Sequence, residues 1–238
     1  TKLAMESAIE LADCIEVESN LSKAFGKYET TRRQDVLRLQ SAARNSVEWF
    51  ENVERYLDLD PTQLNYSLLT RSQRISHENL RERDEVWLAS AERWFMKHAG
   101  VSSSFPTRPP MFAPFIIRGM KLKNRIVVSP MAQYKAEGGC PTDWHLTHYG
   151  ERAKGGAALV CTEMTCVSAE GRITSGCAGL YASEHESAWA RITNFVHTNT
   201  DAKICCQIGH SGRKGSTQLG WETMDAPLQD NNWDLVSA

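Results

Sequence analysis

Apolar positions in the first hundred residues recur at helical spacing. Leu3, Ala4, Ile9 (with Ala8), Leu11, Ala12 and Ile15 follow it, with Glu6, Glu10, Asp13 and Glu16 between them, which predicts a helix over residues 2–18. Ser19-Asn20 interrupts the pattern, and a second helix is expected to run past Tyr28. Leu37, Leu39, Val47, Trp49, Phe50, Val53 and Leu57 continue it to Asp60-Pro61. A proline there lets a new helix begin but not the old one continue. A last helix, roughly residues 78–98, carries Leu80, Val86, Trp87, Leu88, Ala91, Trp94 and Phe95. Its aromatic residues suit a core or an interface, and the charges between the apolar positions suit a solvated face.

Beyond residue 110 the period changes. PFIIRGMKLKNRIVVSP suggests two short strands with a turn near Arg118-Gly119. Thr142 can cap a helix, DWHLTHYGERAK, which Gly155-Gly156 ends. AALVCTEMTCV is an apolar run of strand length. Ser183 opens another helix, and Asp201-Ala202-Lys203 turns into a further apolar strand, ICCQIG. The order is β-α-β-α-β, with strand ends near residues 129, 163 and 208. Near-continuous apolar strands alternating with amphipathic helices predict an α/β fold whose parallel sheet is buried on both faces. A doubly wound sheet and a (β/α)8 barrel both satisfy this, and in either the chemistry sits at the C-terminal ends of the strands.

Composition supports a division of the chain. Residues 1–100 contain two Gly and one Pro, and the remainder thirteen Gly and seven Pro, so turn-rich structure is confined to the second part. The join, AGVSSSFPTRPPM, has the small residues, Ser run and prolines of a linker, which gives a helical part over 1–98, a linker over 99–110 and an α/β part over 111–238. With 27 basic and 29 acidic side chains the net charge is −2, no electrostatic reason to expect nucleic acid or an anionic membrane as partner. No apolar stretch approaches the ~20 residues that span a bilayer. The opening TKLAMESAIELADC lacks the basic start and unbroken apolar core of a signal peptide. It also lacks an initiator Met, and a piece of a longer polypeptide is expected. The seven Cys are odd in number and contain no C-x-x-C pair, which suits buried free thiols in a reducing, cytoplasmic setting.

The strand ends carry the candidate chemistry. Ser129, Pro130, Met131, Ala132, Gln133 and Tyr134 follow the first strand of the repeat, Glu163, Met164 and Thr165 the second. Gln207 lies in the third, which leads into His210, Arg213 and Lys214. Met, amide, phenol and backbone amides on one rim make a surface for a flat heterocycle. Gln207 interrupts an apolar strand, and a buried amide needs partners, from a ligand or from a neighbouring strand. Tyr134 and Met164 have packing as the alternative to a site role. His210 is a site residue or a loop organiser, and Arg213 and Lys214 meet an anion or solvent. His145 and His148 share a helix face but have no third ligand at convincing spacing, so packing or surface is expected and no metal site.

On three ordered segments the second part resembles the start of the Old Yellow Enzyme family of FMN-dependent NAD(P)H:flavin oxidoreductases and ene-reductases. The segments are MFAPFIIRGMKLKNRIVVSPMAQY, HLTHYGERAKGGAALVCTEMTCVSAEGRIT and KICCQIGHSGRKG. The resemblance implies the first β/α units of an incomplete (β/α)8 TIM barrel, with FMN over the strand ends. By the same resemblance Ser129, Pro130, Met131 and Ala132 line the flavin, Met164 lies beside it, Gln207 bonds its pyrimidine edge and Tyr134 faces the substrate as the catalytic residue. Many relatives carry Thr or Cys where Ala132 stands, so that side-chain tuning is absent. The family's substrate-binding His pair, a later flavin-contacting Arg and the phosphate loop are expected beyond residue 238. Residues 1–98 resemble the C-terminal tail of FAD-dependent aromatic monooxygenases, on TKLAMESAIELADCI and YETTRRQDVLRLQSAARNSVEWFENVERY.

Together the two resemblances imply a fused enzyme of the salicylyl-CoA 5-hydroxylase/oxidoreductase or 2-aminobenzoyl-CoA monooxygenase/reductase type. Its cofactors would be FMN, FAD in an upstream domain, and NAD(P)H as reductant. Its partner would be a small molecule, an aromatic acyl-CoA or an enone, with neither nucleic acid nor membrane, and a homo-oligomer is compatible. The alternatives are a stand-alone FMN ene-reductase with a helical scaffold or partner-binding extension, and a non-catalytic barrel-like binding protein.

Overall fold

The structure, a computed structural model, describes residues 2–101, 109–223 and 225–235. Residues 102–108, most of the expected linker, lie outside the described residues. The chain divides between Trp94 and Phe95 into two compact units.

The first unit is helical: α1 (Lys2–Val17), α2 (Leu21–Glu51), a 3-10 turn at Val53–Tyr56, α3 (Pro61–Thr70), α4 (His77–Arg83) and most of α5 (Glu85–His98), whose residues from Phe95 on fall after the division. Local chemistry sets the starts. The Asn20 side chain accepts from Lys23 N at 3.0 Å to open α2, and Asp60 accepts from Thr62 N at 2.9 Å to open α3 behind Pro61. The single helix expected over 78–98 is broken at Asp84, whose φ is −155° and ψ 86°. Its carboxylate accepts from Trp87 N at 2.9 Å, an N-cap that competes with helix continuation. Trp87 stacks on Tyr66, as expected of a packing residue. Buried Glu92 accepts from Arg81 and faces His77 Nε2, each at 2.8 Å, so its charge is compensated inside the unit.

The second unit opens with an antiparallel hairpin, β1 (Phe115–Ile117) and β2 (Met120–Leu122). Its turn residues, Arg118 at φ 45° and Gly119 at φ 86°, are both left-handed, as a tight hairpin requires. Then come β3 (Val127–Val128), α6 (Asp143–Lys154), β4 (Leu159–Cys166), α7 (Ser183–Asn199) and β5 (Lys203–Gly209). Strands β3, β4 and β5 pair in parallel in that order, giving the expected β-α-β-α-β path. Two strands were expected over 114–130, and the chain makes three. Asn124 divides them: its Oδ1 accepts from Ile126 N at 3.0 Å and its Nδ2 donates to Gly156 O at 2.8 Å, tying the entry of β3 to the end of α6.

Tyr149 and Ala153 of α6, Trp189, Ile192 and Val196 of α7, and Val160 of β4 form the core, with Val128 and Ile204 packed against it. The expected burial of the sheet on both faces is partial: along β4 buried residues are interspersed with half-buried Leu159, Cys161 and Met164, and β5 is largely exposed. Only Ile204 and Gly209 of β5 are partly covered, and its other residues, Gln207 among them, are exposed. Among the described residues β5 pairs with β4 alone, so its apolar sequence has nothing to cover it. The same geometry corrects the expectation of buried thiols. Cys14, Cys166 and Cys177 are buried and free, whereas Cys205 and Cys206 are free and exposed. No described helix is long and apolar enough to cross a membrane.

Ile192 is 1% exposed and Ile208 is 65% exposed. Ile192→Ala is expected to destabilise the second unit by about 2–5 kcal/mol and Ile208→Ala by under about 0.5 kcal/mol. Urea unfolding of the two variants checks this; equal shifts of the midpoint would place the core elsewhere.

Candidate functional site

Parallel pairing sets the C-terminal ends of β3, β4 and β5 along one edge of the sheet. The segment after β3, Ser129–Tyr134, has no regular structure of its own and is fixed through Gln133. Gln133 N donates to Glu163 Oε2 at 2.8 Å, and its Nε2 donates to Met131 O at 2.9 Å. Its Oε1 accepts from Trp144 Nε1 at 3.0 Å. Ser129, Pro130, Met131 and Ala132 stay exposed on this frame. The backbone N–H groups of Met131 and Ala132 have no acceptor among the described residues.

Tyr134 ends the segment in a left-handed conformation, φ 53°. Gly176 is packed against it so closely that an added Cβ would collide with the Tyr134 carbonyl. Ala136 N donates to Gly176 O at 2.9 Å, which closes the loop over the β4–α7 connection. Burial, with Cys177, Asp225 and Glu163 nearby, pushes the Tyr134 phenol above its ordinary pKa, so at neutral pH it keeps its proton.

Glu163, Met164 and Thr165 lie inside β4, not after it as the sequence suggested. The register explains why the run reads irregularly. Cys161 faces Cys205 and Met164 faces Gln207, three steps on β4 against two on β5, which is a bulge of one residue. Gln207 N donates at 3.1 Å to the Thr162 hydroxyl inside that bulge. Met164 is therefore the cross-strand neighbour of Gln207 at the sheet edge. Gly209 leaves it room, since a Cβ there would stand 2.7 Å from Met164 Cγ. The Gln207 side-chain amide is exposed and has no partner among the described residues, so the argument from a buried amide does not apply. Its donor and acceptor are both free.

The other candidates resolve differently. His210 Nδ1 accepts from Gly212 N at 2.9 Å, and Gly171 abuts its ring, so this histidine organises its loop. Arg213 and Lys214 are exposed on a 3-10 turn, Gly212–Lys214. His148 packs edge-on against Tyr149, with centroids 5.0 Å apart, and burial lowers its pKa. Among the described residues no group of His, Cys, Asp and Glu is arranged to hold a metal ion.

Sequence reasoning missed the pair beneath the loop. Glu163 is 1% exposed and His145 is fully buried, with His145 Nε2 2.7 Å from Glu163 Oε1. Tyr149 anchors the same point, its hydroxyl accepting from Glu163 N at 2.9 Å. The available signal was a carboxylate inside LVCTEMTCV, because fully buried Glu is found paired.

The arrangement fits a flat, hydrogen-bonding heterocycle such as a flavin. Met131 and Met164 are apolar and polarizable, the Gln207 amide offers a donor and an acceptor, and two backbone N–H groups are unsatisfied.

Comparison with known proteins points the same way. Residues 110–232 match the profile of the NADH:flavin oxidoreductase / NADH oxidase family. The NADH:flavin oxidoreductase of Gibberella zeae is 39% identical over 128 residues, 54% of this chain and 30% of that relative. The NADPH dehydrogenase of Bacillus cytotoxicus is 43% identical over 106 residues, 44% of this chain and 30% of that relative. The chain thus spans about 30% of the length of these curated relatives. Among solved structures, morphinone reductase in complex with tetrahydroNAD is 26% identical with a TM-score of 0.43, covering 46% of this chain and 29% of that one.

Gly176→Ala is expected to destabilise the second unit by about 1–3 kcal/mol, because the new methyl meets backbone that cannot swing aside. Gly26→Ala, in the α2 interior with nothing within 4 Å of the added Cβ, is expected to be neutral or stabilising by up to about 1 kcal/mol. Thermal melting checks both, and an unchanged melting temperature for Gly176→Ala would contradict the close packing at Tyr134.

Proposed function

Because the chain belongs to the NADH:flavin oxidoreductase / NADH oxidase family, we propose that residues 111–238 form the first β/α units of an FMN-binding TIM barrel of the Old Yellow Enzyme type, in an NAD(P)H-dependent ene-reductase. The observation that carries the reading is the unpartnered Gln207 amide beside Met164 at the C-terminal edge of a parallel sheet. When bound, FMN supplies hydride transfer between NAD(P)H and the substrate.

The chain's own residues hold and orient. Ser129, Pro130, Met131 and Ala132 line one side of the flavin through exposed backbone and the Met131 thioether. Met164 covers an apolar part of the ring system. Gln207 meets the pyrimidine edge, whose N–H and carbonyl groups match an amide's acceptor and donor. Tyr134 donates a hydrogen bond or proton to the substrate, and its raised pKa keeps that proton available. Ala132 has no side-chain donor, so hydrogen bonding to the flavin there falls to its backbone N–H.

The helical unit is proposed as the C-terminal tail of an FAD-dependent aromatic hydroxylase, on its sequence resemblance. In this reading the full polypeptide hydroxylates an aromatic acyl-CoA and then reduces the unsaturated ring product. Its partners are small molecules, and it works in the cytoplasm.

The test uses the full-length protein. Gln207→Leu is expected to weaken FMN binding by ~10-fold or more, equivalent to ~1.4 kcal/mol. The flavin-free variant should melt as the wild type does if the side chain serves the cofactor and not the apoprotein. Tyr134→Phe is expected to retain FMN but to slow reoxidation of the reduced protein by activated alkenes, within the ~10²–10⁴-fold range of acid catalysis. Wild-type FMN affinity in Gln207→Leu would remove the cofactor role, and unchanged reoxidation in Tyr134→Phe would remove the substrate role.

A further inference from the structure

Glu163 and His145 belong to different elements, β4 and α6, and meet in the most buried part of the second unit. Thr142 N donates to His145 Nδ1 at 2.9 Å. That bond occupies the Nδ1 lone pair, so the single ring proton of the neutral imidazole lies on Nε2, the atom 2.7 Å from Glu163 Oε1. Both His145 Nε2 and Glu163 Oε1 are buried and have no hydrogen-bond partner aligned on them among the described residues, and they approach each other at 2.7 Å. The second carboxylate oxygen accepts from Gln133 N, and Gln133 in turn fixes Met131 O and Trp144. Glu163 Oε2 is thus held by a loop amide, while Oε1 lies against the imidazole edge. The buried carboxylate stands directly behind the Gln133 amide, one residue away from Ala132.

We infer that Glu163, steadied by His145, is a positioning residue that sets both the shape of the Ser129–Tyr134 loop and the electrostatic field behind it, and through them the flavin's affinity and redox balance. The inference rests on the FMN-binding reading above. A buried anion behind the loop disfavours added electron density on the ligand in front of it, and in a water-poor interior that effect is weakly screened. It acts where Ala132 offers no side chain of its own. Removing the charge therefore favours the reduced flavin, and removing the support loosens the loop.

The experiment uses full-length holoprotein and measures dissociation constants for oxidised and reduced FMN together with thermal melting. Glu163→Gln keeps an acceptor for only one of the two donors and removes the charge. It is expected to shift the ratio of the two constants by ~10-fold or more in favour of reduced FMN. His145→Leu leaves Glu163 in place and is expected to weaken oxidised FMN binding by ~10-fold or more. His145→Gln can accept from Thr142 N and donate to Glu163, and is expected to restore wild-type affinity. Should Glu163→Gln fail to fold, the His145 pair carries the test alone. Lower melting temperatures with unchanged FMN constants in Glu163→Gln and His145→Leu would overturn the inference and leave the cofactor reading standing. A wild-type protein that binds no FMN would overturn the cofactor reading and the inference with it.

Discussion

Strand β4 is the constraint on which the second unit depends. It is the middle strand of β3-β4-β5, buried or half-buried throughout and paired along both edges. Parallel neighbours cannot be joined by a tight turn, so each return runs through a helix, and α6 and α7 supply the core that buries Val160. That path leaves every strand ending at the same edge. The residues that carry the proposed chemistry come together there because the backbone has no other way to pair in parallel.

The bulge in β4 shapes this scaffold into the candidate site. One extra residue between Cys161 and Met164 changes which side chains face the core. Glu163 is drawn inside to meet His145 and Gln133, while Met164 remains partly open next to Gln207. The loop after β3 is then held from below by a carboxylate and from the side by Trp144 and Gly176. A segment without regular structure is thereby ordered by side chains, and its free N–H groups and methionine stay exposed.

Much of this was legible in the chain. Gly155-Gly156 and Thr142 bounded α6, Arg118-Gly119 marked the hairpin turn, and the apolar runs located β4 and β5. The break at Asp84 was not legible, because helical spacing of the apolar residues continues across it and only the carboxylate's bond to Trp87 N ends the helix. The exposure of β5 was also missed. Apolar composition says what environment a strand suits, while coverage depends on which neighbours pair with it. Gln207 stood out as a polar group in an apolar strand, and Tyr134 as a phenol on the loop after β3. Glu163 also interrupts an apolar strand, but its neighbour His145 lies on another element, and the helical spacing of His145 suggested packing or surface.

The central claim is that the rim of β3, β4 and β5 belongs to a flavin site served by a nicotinamide reductant. Its most direct test is an anaerobic spectrum of the purified full-length protein after equilibration with FMN and removal of free cofactor, followed by addition of NADH or NADPH. The account predicts a retained flavin absorption band that bleaches on addition of the reductant. A protein that keeps no flavin, or one whose bound flavin neither nicotinamide bleaches, would contradict it.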